Sequence, residues 1–166
     1  MNILVLSDTH GQIDKAVEMY ERLNALGSID LVIHCGDYVK DARRIKRRLA
    51  FRGSKAQVIM VPGNCDGCRE RDFETVEVPS GKILVTHGHM ENVKIGYSNL
   101  LYLAEEQKCN AVCFGHTHRA VNEVVDGIRI VNPGSLTNPR DGSKGTCAFL
   151  VSSEKSLAAT IVRYSI

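Results

Sequence analysis

Residues 2–10 have the sequence NILVLSDTH, in which an apolar run is followed directly by polar residues. The apolar run predicts a strand over residues 2–7 that is buried on both faces, as in a parallel sheet. The polar end then lies where the strand leaves the sheet. The same order of apolar run, polar cluster and turn recurs four more times, at Gly36-Asp37, Gly63-Asn64-Cys65-Asp66, His87-Gly88-His89 and Gly115-His116-Thr117-His118.

The first half of the chain alternates between strand and helix patterns. Strands are predicted over residues 30–34 and 56–61, and helices over residues 12–26 and 39–50. Strand–helix–strand units of this kind pair their strands in parallel through right-handed crossovers.

The second half is richer in strands. Strands are predicted over residues 75–78, 82–86, 111–114, 120–125, 128–131, 146–151 and 157–163, and a helix over residues 97–108. Asp126-Gly127 is a favoured two-residue hairpin turn, and the last hairpin turns around Ser152–Ser156. We therefore predict an α/β fold in which two mixed β-sheets pack as a sandwich with the helices on the outside.

The composition is that of one globular domain spanning residues 1–166. With 43% apolar and 24% charged residues, the chain is neither disordered nor fibrous. A net charge of +2 gives no reason to expect a stable nucleic-acid partner. There is no signal-peptide pattern and no run of about 20 apolar residues, so we expect a cytoplasmic protein without a membrane partner.

The five polar clusters are expected to meet, because ligands of α/β sheets bind beyond the carboxyl ends of the strands. Imidazole, carboxylate and amide oxygen are ligands for manganese, iron, nickel and zinc. In extended chain, residues two apart project to the same side. On that ground Asp8 with His10, and His116 with His118, are expected to address neighbouring metal positions.

The ordered set DxH, GD, GNxD, HGH and GHTH, between residues 8 and 118, resembles the calcineurin-like metallophosphoesterase superfamily. More narrowly, it is similar to the small bacterial and archaeal phosphodiesterases of that superfamily. The segment Asn132-Pro133-Gly134-Ser135 matches a further family element. The resemblance implies a phosphoesterase whose substrate is a small phosphodiester or a nucleotide-like molecule.

The resemblance also implies a centre of two divalent metal ions, manganese being expected first and nickel, iron or zinc being compatible. The first ion would be held by Asp8, His10 and His118, the second by Asn64, His87 and His116, with Asp37 bridging the two. A hydroxide held between the metals would attack the phosphodiester. The expected catalytic residues are Asp37, Asn64 and Asp66, the last acting by orienting a neighbour, together with His89, which lies near these clusters in the sequence.

The sequence departs from the larger family members at one position. Those members have a histidine directly after the asparagine, where this chain has Cys65. A thiol with a pKa of ~8.5 is a poor hydrogen-bond donor, so His89 becomes the candidate proton donor to the leaving group. Diesters whose departure needs little protonation are then the favoured substrates.

Other interpretations stay open at this point. The same centre would suit a phosphomonoesterase, and the small retromer subunit has this fold as an interaction scaffold, with possible homo-oligomers in either case. The basic run from Lys40 to Lys55 is either a solvated helix face or a field that attracts phosphate. Cys65 and Cys68 form a CxxC pair, and His34 is expected to be a packed or supporting histidine.

Overall fold

The computed structural model describes residues 1–67 and 72–165. The strands are β1 (Asn2–Leu6), β2 (Leu31–His34), β3 (Gln57–Met60), β4 (Phe73–Val78), β5 (Gly81–Thr86), β6 (Ala111–Cys113), β7 (Ala120–Val125), β8 (Ile128–Pro133), β9 (Thr146–Ser153) and β10 (Ser156–Arg163). The helices are α1 (Asp14–Leu26), α2 (Val39–Phe51) and α3 (Ser98–Glu106), with a short 3-10 helix over Asn64–Asp66. Cys68 lies outside the described residues, so the CxxC pair stays a prediction.

The strands form two five-stranded mixed sheets, as the sequence predicts. The first has the order β10-β9-β1-β2-β3 and the second the order β4-β5-β6-β8-β7. The parallel pairs are β1–β2, β2–β3, β5–β6 and β6–β8. The hairpins β4–β5, β7–β8 and β9–β10 are antiparallel, as is the pair β1–β9.

Alternation along each strand divides the core into three layers. In β1, Ile3 and Val5 belong to the cluster between the two sheets, whereas Leu4 and Leu6 pack with α1 and α2 on the outer side. Leu84, in the second sheet, packs in the same way against α3. The helices therefore lie outside a sandwich, which confirms the predicted fold.

The turns of two hairpins can be compared with the sequence prediction: the turn at Asp126-Gly127 agrees with it, and the last hairpin differs from it. Asp126 and Gly127 both have positive φ, of 50° and 80°, as a type I′ hairpin turn requires. The last hairpin is tighter than predicted, because Ser153 pairs with Ser156 and leaves a two-residue turn. Within the described residues, no helix combines the length and apolar character needed to cross a membrane.

Candidate metal centre

The polar clusters lie together at the carboxyl ends of β1, β2, β3, β5 and β6. Backbone hydrogen bonds join their loops: the Asp8 N–H donates to the Gly36 carbonyl at 3.0 Å, and the Gly115 N–H donates to the His87 carbonyl at 3.1 Å. The second of these bonds ties β5 to β6, and the first ties β1 to β2. The expected convergence of the clusters is therefore present in the fold.

One group of side chains has the composition of a metal site. Asp8, His10, Asp37 and His118 offer ligand atoms that all lie within 4.8 Å of one another. His118 Nε2 lies 3.2 Å from Asp8 Oδ1 and 3.3 Å from His10 Nε2. Asp8 and His118 are buried, so water does not solvate this group of charged and polar atoms fully.

The proton on His118 can be placed from its partner. His118 Nδ1 lies 2.7 Å from the Asn138 carbonyl, which can only accept a hydrogen bond, so Nδ1 carries the proton. In the neutral imidazole, Nε2 then turns a lone pair toward Asp8 Oδ1, which is buried and accepts no hydrogen bond from the described residues. Two facing electron-pair donors need a cation between them, and a divalent metal fits this place.

The same pattern occurs at a second position. His87 Nδ1 donates to the Cys35 carbonyl at 2.7 Å, and its Nε2 faces Asn64 Oδ1 at 3.2 Å and Asp37 Oδ1 at 3.4 Å. The His116 ring lies 5.1 Å from the His87 ring, centroid to centroid. Imidazole, amide and carboxylate groups therefore surround a second place suited to a cation. Asp37 takes part in both groups.

The electrostatics favour the metal-binding forms of His116 and Asp8 but not that of His118. Burial lowers the pKa of His116 to about 4, with help from positive charge at His87 and Lys94. Burial alone would raise the pKa of Asp8, but the adjacent His118 ring and the hydrogen bond from Ser7 outweigh burial and lower this pKa. The Asp8 carboxylate, 3.2 Å from His118 Nε2, raises the pKa of His118. A proton therefore competes with metal at that one nitrogen.

The backbone of the ligand loops is not extended, so the spacing argument for the DxH and HxH pairs was wrong. Five of the seven predicted ligands have left-handed backbone, with φ between 46° and 68°: Asp8, His10, Asp37, His116 and His118. The pairs converge because the chain curls at each of these residues. Such conformations cluster at functional sites.

Several supporting residues were not found from the sequence. Ser7 Oγ donates to Asp8 Oδ2 at 2.5 Å, and the His116 N–H donates to the same oxygen at 3.1 Å. Ser135 Oγ donates to the Asp8 carbonyl at 2.9 Å, and Asn132 Nδ2 donates to the Gly115 carbonyl at 2.8 Å. The Asn132–Ser135 segment is the part of the sequence from which these contacts could have been predicted, because it holds the loops of Asp8 and Gly115 in place.

Asp66, which is predicted from the sequence to support the site, lies at the end of the 3-10 helix that follows β3. Its two carboxylate oxygens accept from the Val39 N–H at 2.8 Å and the Gly63 N–H at 2.9 Å. The 3-10 helix that carries Asn64 is thereby tied to the start of α2. Cys65 follows in that helix, and its N–H donates to Asp37 Oδ1 at 2.9 Å.

Cys65 and His89 are the two side chains considered as proton donors to the leaving group. Desolvation, then the negative charge of Asp37, raises the pKa of the Cys65 thiol to about 11. The His89 ring lies 5.3 Å from the His87 ring and 6.1 Å from the His116 ring, beside the second group of ligands. His34 is 1% exposed and shares a contact of 3.2 Å with Thr9 Oγ1, as expected of a packed, supporting histidine.

Comparison with known proteins agrees with this geometry. Residues 1–155 match the model of the calcineurin-like phosphoesterase superfamily domain. The chain belongs to the calcineurin-like phosphoesterase superfamily. It is 35% identical to the probable metallophosphoesterase YsnB of Bacillus subtilis over 165 residues, covering 99% of this chain and 90% of YsnB.

A second relative of this phosphoesterase is phosphodiesterase MJ0936 of Methanocaldococcus jannaschii. The two are 34% identical over 153 residues, which cover 81% of this chain and 83% of the relative. The fold is also that of a predicted phosphoesterase from Streptococcus pneumoniae, with a TM-score of 0.78 and 26% identity. The match covers 98% of this chain and 88% of the Streptococcus protein. The family predicted from the five motifs is therefore confirmed.

Proposed function

We propose that this phosphoesterase hydrolyses phosphodiester bonds with two divalent transition-metal ions, manganese being the one expected. The observation that carries the proposal is the orientation of two histidines. His118 and His87 each donate Nδ1–H to a backbone carbonyl, and each turns Nε2 toward oxygen ligands. The name of the archaeal relative, a phosphodiesterase, supports the diester substrate.

The residues divide into two ligand sets that share one carboxylate. The first set is Asp8, His10 and His118, the second is Asn64, His87 and His116, and Asp37 lies between them. When bound, the ions supply positive charge to the phosphoryl oxygens and lower the pKa of a water molecule. The ligand side chains would hold the ions in place, and the positive charge of those ions would attract the substrate phosphate to this end of the sheets.

Proton delivery to the leaving group is assigned to His89. The thiol of Cys65 has a pKa raised to about 11, so it stays protonated at neutral pH and donates hydrogen bonds weakly. His89 lies beside the second ligand set, its ring 5.3 Å from that of His87 and 6.1 Å from that of His116, and an imidazole has ring nitrogens that can carry a proton to a leaving group. Asp66 is assigned a positioning role, because it fixes the helix that carries Asn64.

The test compares bis-(p-nitrophenyl) phosphate with p-nitrophenyl phosphate as substrates of metal-stripped protein, with each metal added back. We expect hydrolysis of the diester with manganese and a preference for the diester over the monoester. Asp37→Asn and His116→Ala should each reduce kcat by at least about 100-fold, because the ligands act as a unit. Asp14→Asn, which changes an exposed carboxylate outside the centre, is the matched control.

The outcomes separate the competing functions. Preference for the monoester would show a phosphomonoesterase. Stoichiometric metal binding by calorimetry, without hydrolysis of either ester, would instead favour an interaction scaffold. For His89→Gln, a loss of rate that is large with a poor leaving group and small with p-nitrophenolate would support its role as the proton donor. An equal loss with both would remove that role.

A further inference from the structure

A groove of about 420 Å³ borders the candidate metal centre on the side of the second sheet. Thr117, which lies between the ligands His116 and His118, forms part of its wall. The Arg140 N–H donates to the His118 carbonyl at 3.0 Å, so the backbone of another lining residue is bonded directly to a ligand. The groove therefore lies directly beside the loop that carries His116 and His118.

Three cationic side chains line this groove: Lys94, Arg119 and Arg140. In the described part of the chain, none of the three lies within 4.0 Å of a carboxylate oxygen. Asp141, next to Arg140, is a neighbouring negative charge, but its oxygens accept from the N–H groups of Ala120 and Ser143 at 3.2 and 3.0 Å and form no ion pair with Arg140. The groove thus combines open volume with three positive charges that form no ion pair among the described residues, against one neighbouring carboxylate, that of Asp141.

The basic helix α2 provides a contrast. There, Arg44 and Arg48 pair with Asp41 and Asp14 at 3.6 and 3.1 Å, and Arg52 pairs with Glu21. Several charges of that helix are therefore already compensated by neighbouring carboxylates. Arg43, Lys46 and Arg47 of α2 form no ion pair among the described residues either, so the groove differs from the helix in its position beside the loop that carries His116 and His118.

The walls of the groove are anchored to the core. The Tyr97 ring contacts the fully buried Phe114 ring edge to face, at 5.6 Å between centroids. The loop that carries Lys94 is fixed by the hydrogen bond from the Val93 N–H to the Gly88 carbonyl, at 3.2 Å. Lys94 lies in the loop that follows His87, a ligand of the second set. Arg119 directly follows His118, and the Arg140 N–H is bonded to the His118 carbonyl. Burial, followed by the negative charge of Glu123, raises the pKa of Tyr97, so Glu123 lies near this wall, although it does not line the groove.

We propose that this groove binds a second phosphate group of the substrate, separate from the phosphodiester that is cleaved. The substrate class is a phosphodiester of a nucleoside that carries a further phosphate. A phosphate accepts charge-assisted hydrogen bonds from several cationic side chains at once, and arginine offers two donors in the geometry that phosphate prefers. This inference rests on the proposed function, because it extends the same site.

The test uses two substrates that differ only in the second phosphate. They are thymidine 5′-(p-nitrophenyl phosphate) and the same compound with a 3′-phosphate, both of which release p-nitrophenolate. We expect the 3′-phosphate to raise kcat/KM about tenfold at low salt, through a lower KM, and added salt to reduce this ratio. In the triple variant Lys94→Gln/Arg119→Gln/Arg140→Gln the ratio of the two kcat/KM values should fall to near one.

The matched control is Arg43→Gln/Lys46→Gln/Arg47→Gln, which removes the same charge from exposed positions of α2. It should retain the wild-type ratio. An equal fall of the ratio in both triple variants would show a general charge effect and overturn the proposal. A wild-type ratio near one at low salt would also overturn it.

A binding measurement separates this proposal from the proposed function. Calorimetry on metal-stripped protein compares thymidine 3′,5′-bisphosphate with thymidine 5′-monophosphate. Tighter binding of the bisphosphate, lost in the groove variant, supports the groove even if no ester is hydrolysed. Hydrolysis of both thymidine substrates together with equal binding of the two nucleotides would refute the groove and leave the phosphodiesterase standing.

Discussion

The close approach of Gly36 to His87 gives a direct test of the second ligand set. Gly36 has φ of +98°, and a Cβ atom added there would lie 2.7 Å from His87 Nδ1 and 2.9 Å from His87 Cβ. His87 is fully buried, so its ring has little room to withdraw. To reach the 3.4 Å of an ordinary contact, the ring must move by about 0.7 Å. Metal–ligand distances tolerate about 0.2 Å.

We therefore expect Gly36→Ala to lower the affinity for one of two metal ions by at least about 10- to 100-fold, the range found when groups that orient a ligand are removed. The other ion, held by Asp8, His10 and His118, should lose far less. Calorimetric titration of stripped protein with manganese or zinc gives both affinities. The variant should also lose about 2–5 kcal/mol of unfolding free energy in chelator, from left-handed strain and overpacking together.

Gly53→Ala separates these two contributions. Gly53 also has positive φ, of +81°, but a Cβ atom there would meet nothing within 4 Å. This control should therefore lose only about 1–2 kcal/mol, the cost of a left-handed side-chain-bearing residue. Its metal affinities should stay at the wild-type values. The reasoning is refuted if Gly36→Ala binds both ions as the wild type does, or if the two variants lose affinity equally.

Three further predictions follow from the site. Metal at about 100 times its Kd should raise the unfolding free energy by about 2.7 kcal/mol, which is about 5–11 °C in Tm for a domain of this size. Chelator should reverse the shift, and an unchanged melting curve would contradict the metal centre. Asp41 is fully buried and accepts hydrogen bonds from Thr9 Oγ1 at 2.9 Å and from the Gly11 N–H at 2.6 Å. Asp41→Ala should therefore lower the unfolding free energy by about 3 kcal/mol and weaken metal binding. Asp41→Asn, which keeps one acceptor, should lose less in the same melting and titration assays. Burial lowers the pKa of His34 to about 4, so its neutral form stabilises the fold fully above pH ~6.5, and this contribution is lost as the pH falls toward 4. Between pH 7 and pH 4.5, denaturant titrations should show the wild type losing about 2–3 kcal/mol more than His34→Gln, and parallel losses would exclude this role of His34.

The parts of the fold that the sequence predicts are those set by local patterns. Alternation places Ile3 between the sheets and Leu4 against the helices, because neighbouring strand residues face opposite sides. The Asp126-Gly127 pair predicts its hairpin because few other residues adopt two successive left-handed conformations. The polar clusters, likewise, mark the strand ends where side chains leave the buried layers.

The parts that the sequence does not predict depend on distant contacts. The Cys35 and Asn138 carbonyls orient His87 and His118, yet every residue type has a carbonyl, so no side-chain pattern marks these positions. The 3-10 helix at Asn64 forms where Asp66 reaches the Val39 N–H, 27 residues away. Patterns of apolar spacing contain no information about such a contact.

The left-handed ligands explain why the metal centre needs a brace. Five residues with positive φ, at about 1–2 kcal/mol each, cost about 5–10 kcal/mol together, which is as large as the net stability of an ordinary domain. The cost is present in the folded chain whether or not metal is bound. Buried hydrogen bonds from Ser135 to the Asp8 carbonyl and from Asn132 to the Gly115 carbonyl oppose part of this cost, at about 1 kcal/mol each, because they hold two of the ligand loops in the folded conformation. The protein therefore offsets part of the cost of holding the ligands in position, and a cation bound between the facing donor atoms would offset more of it.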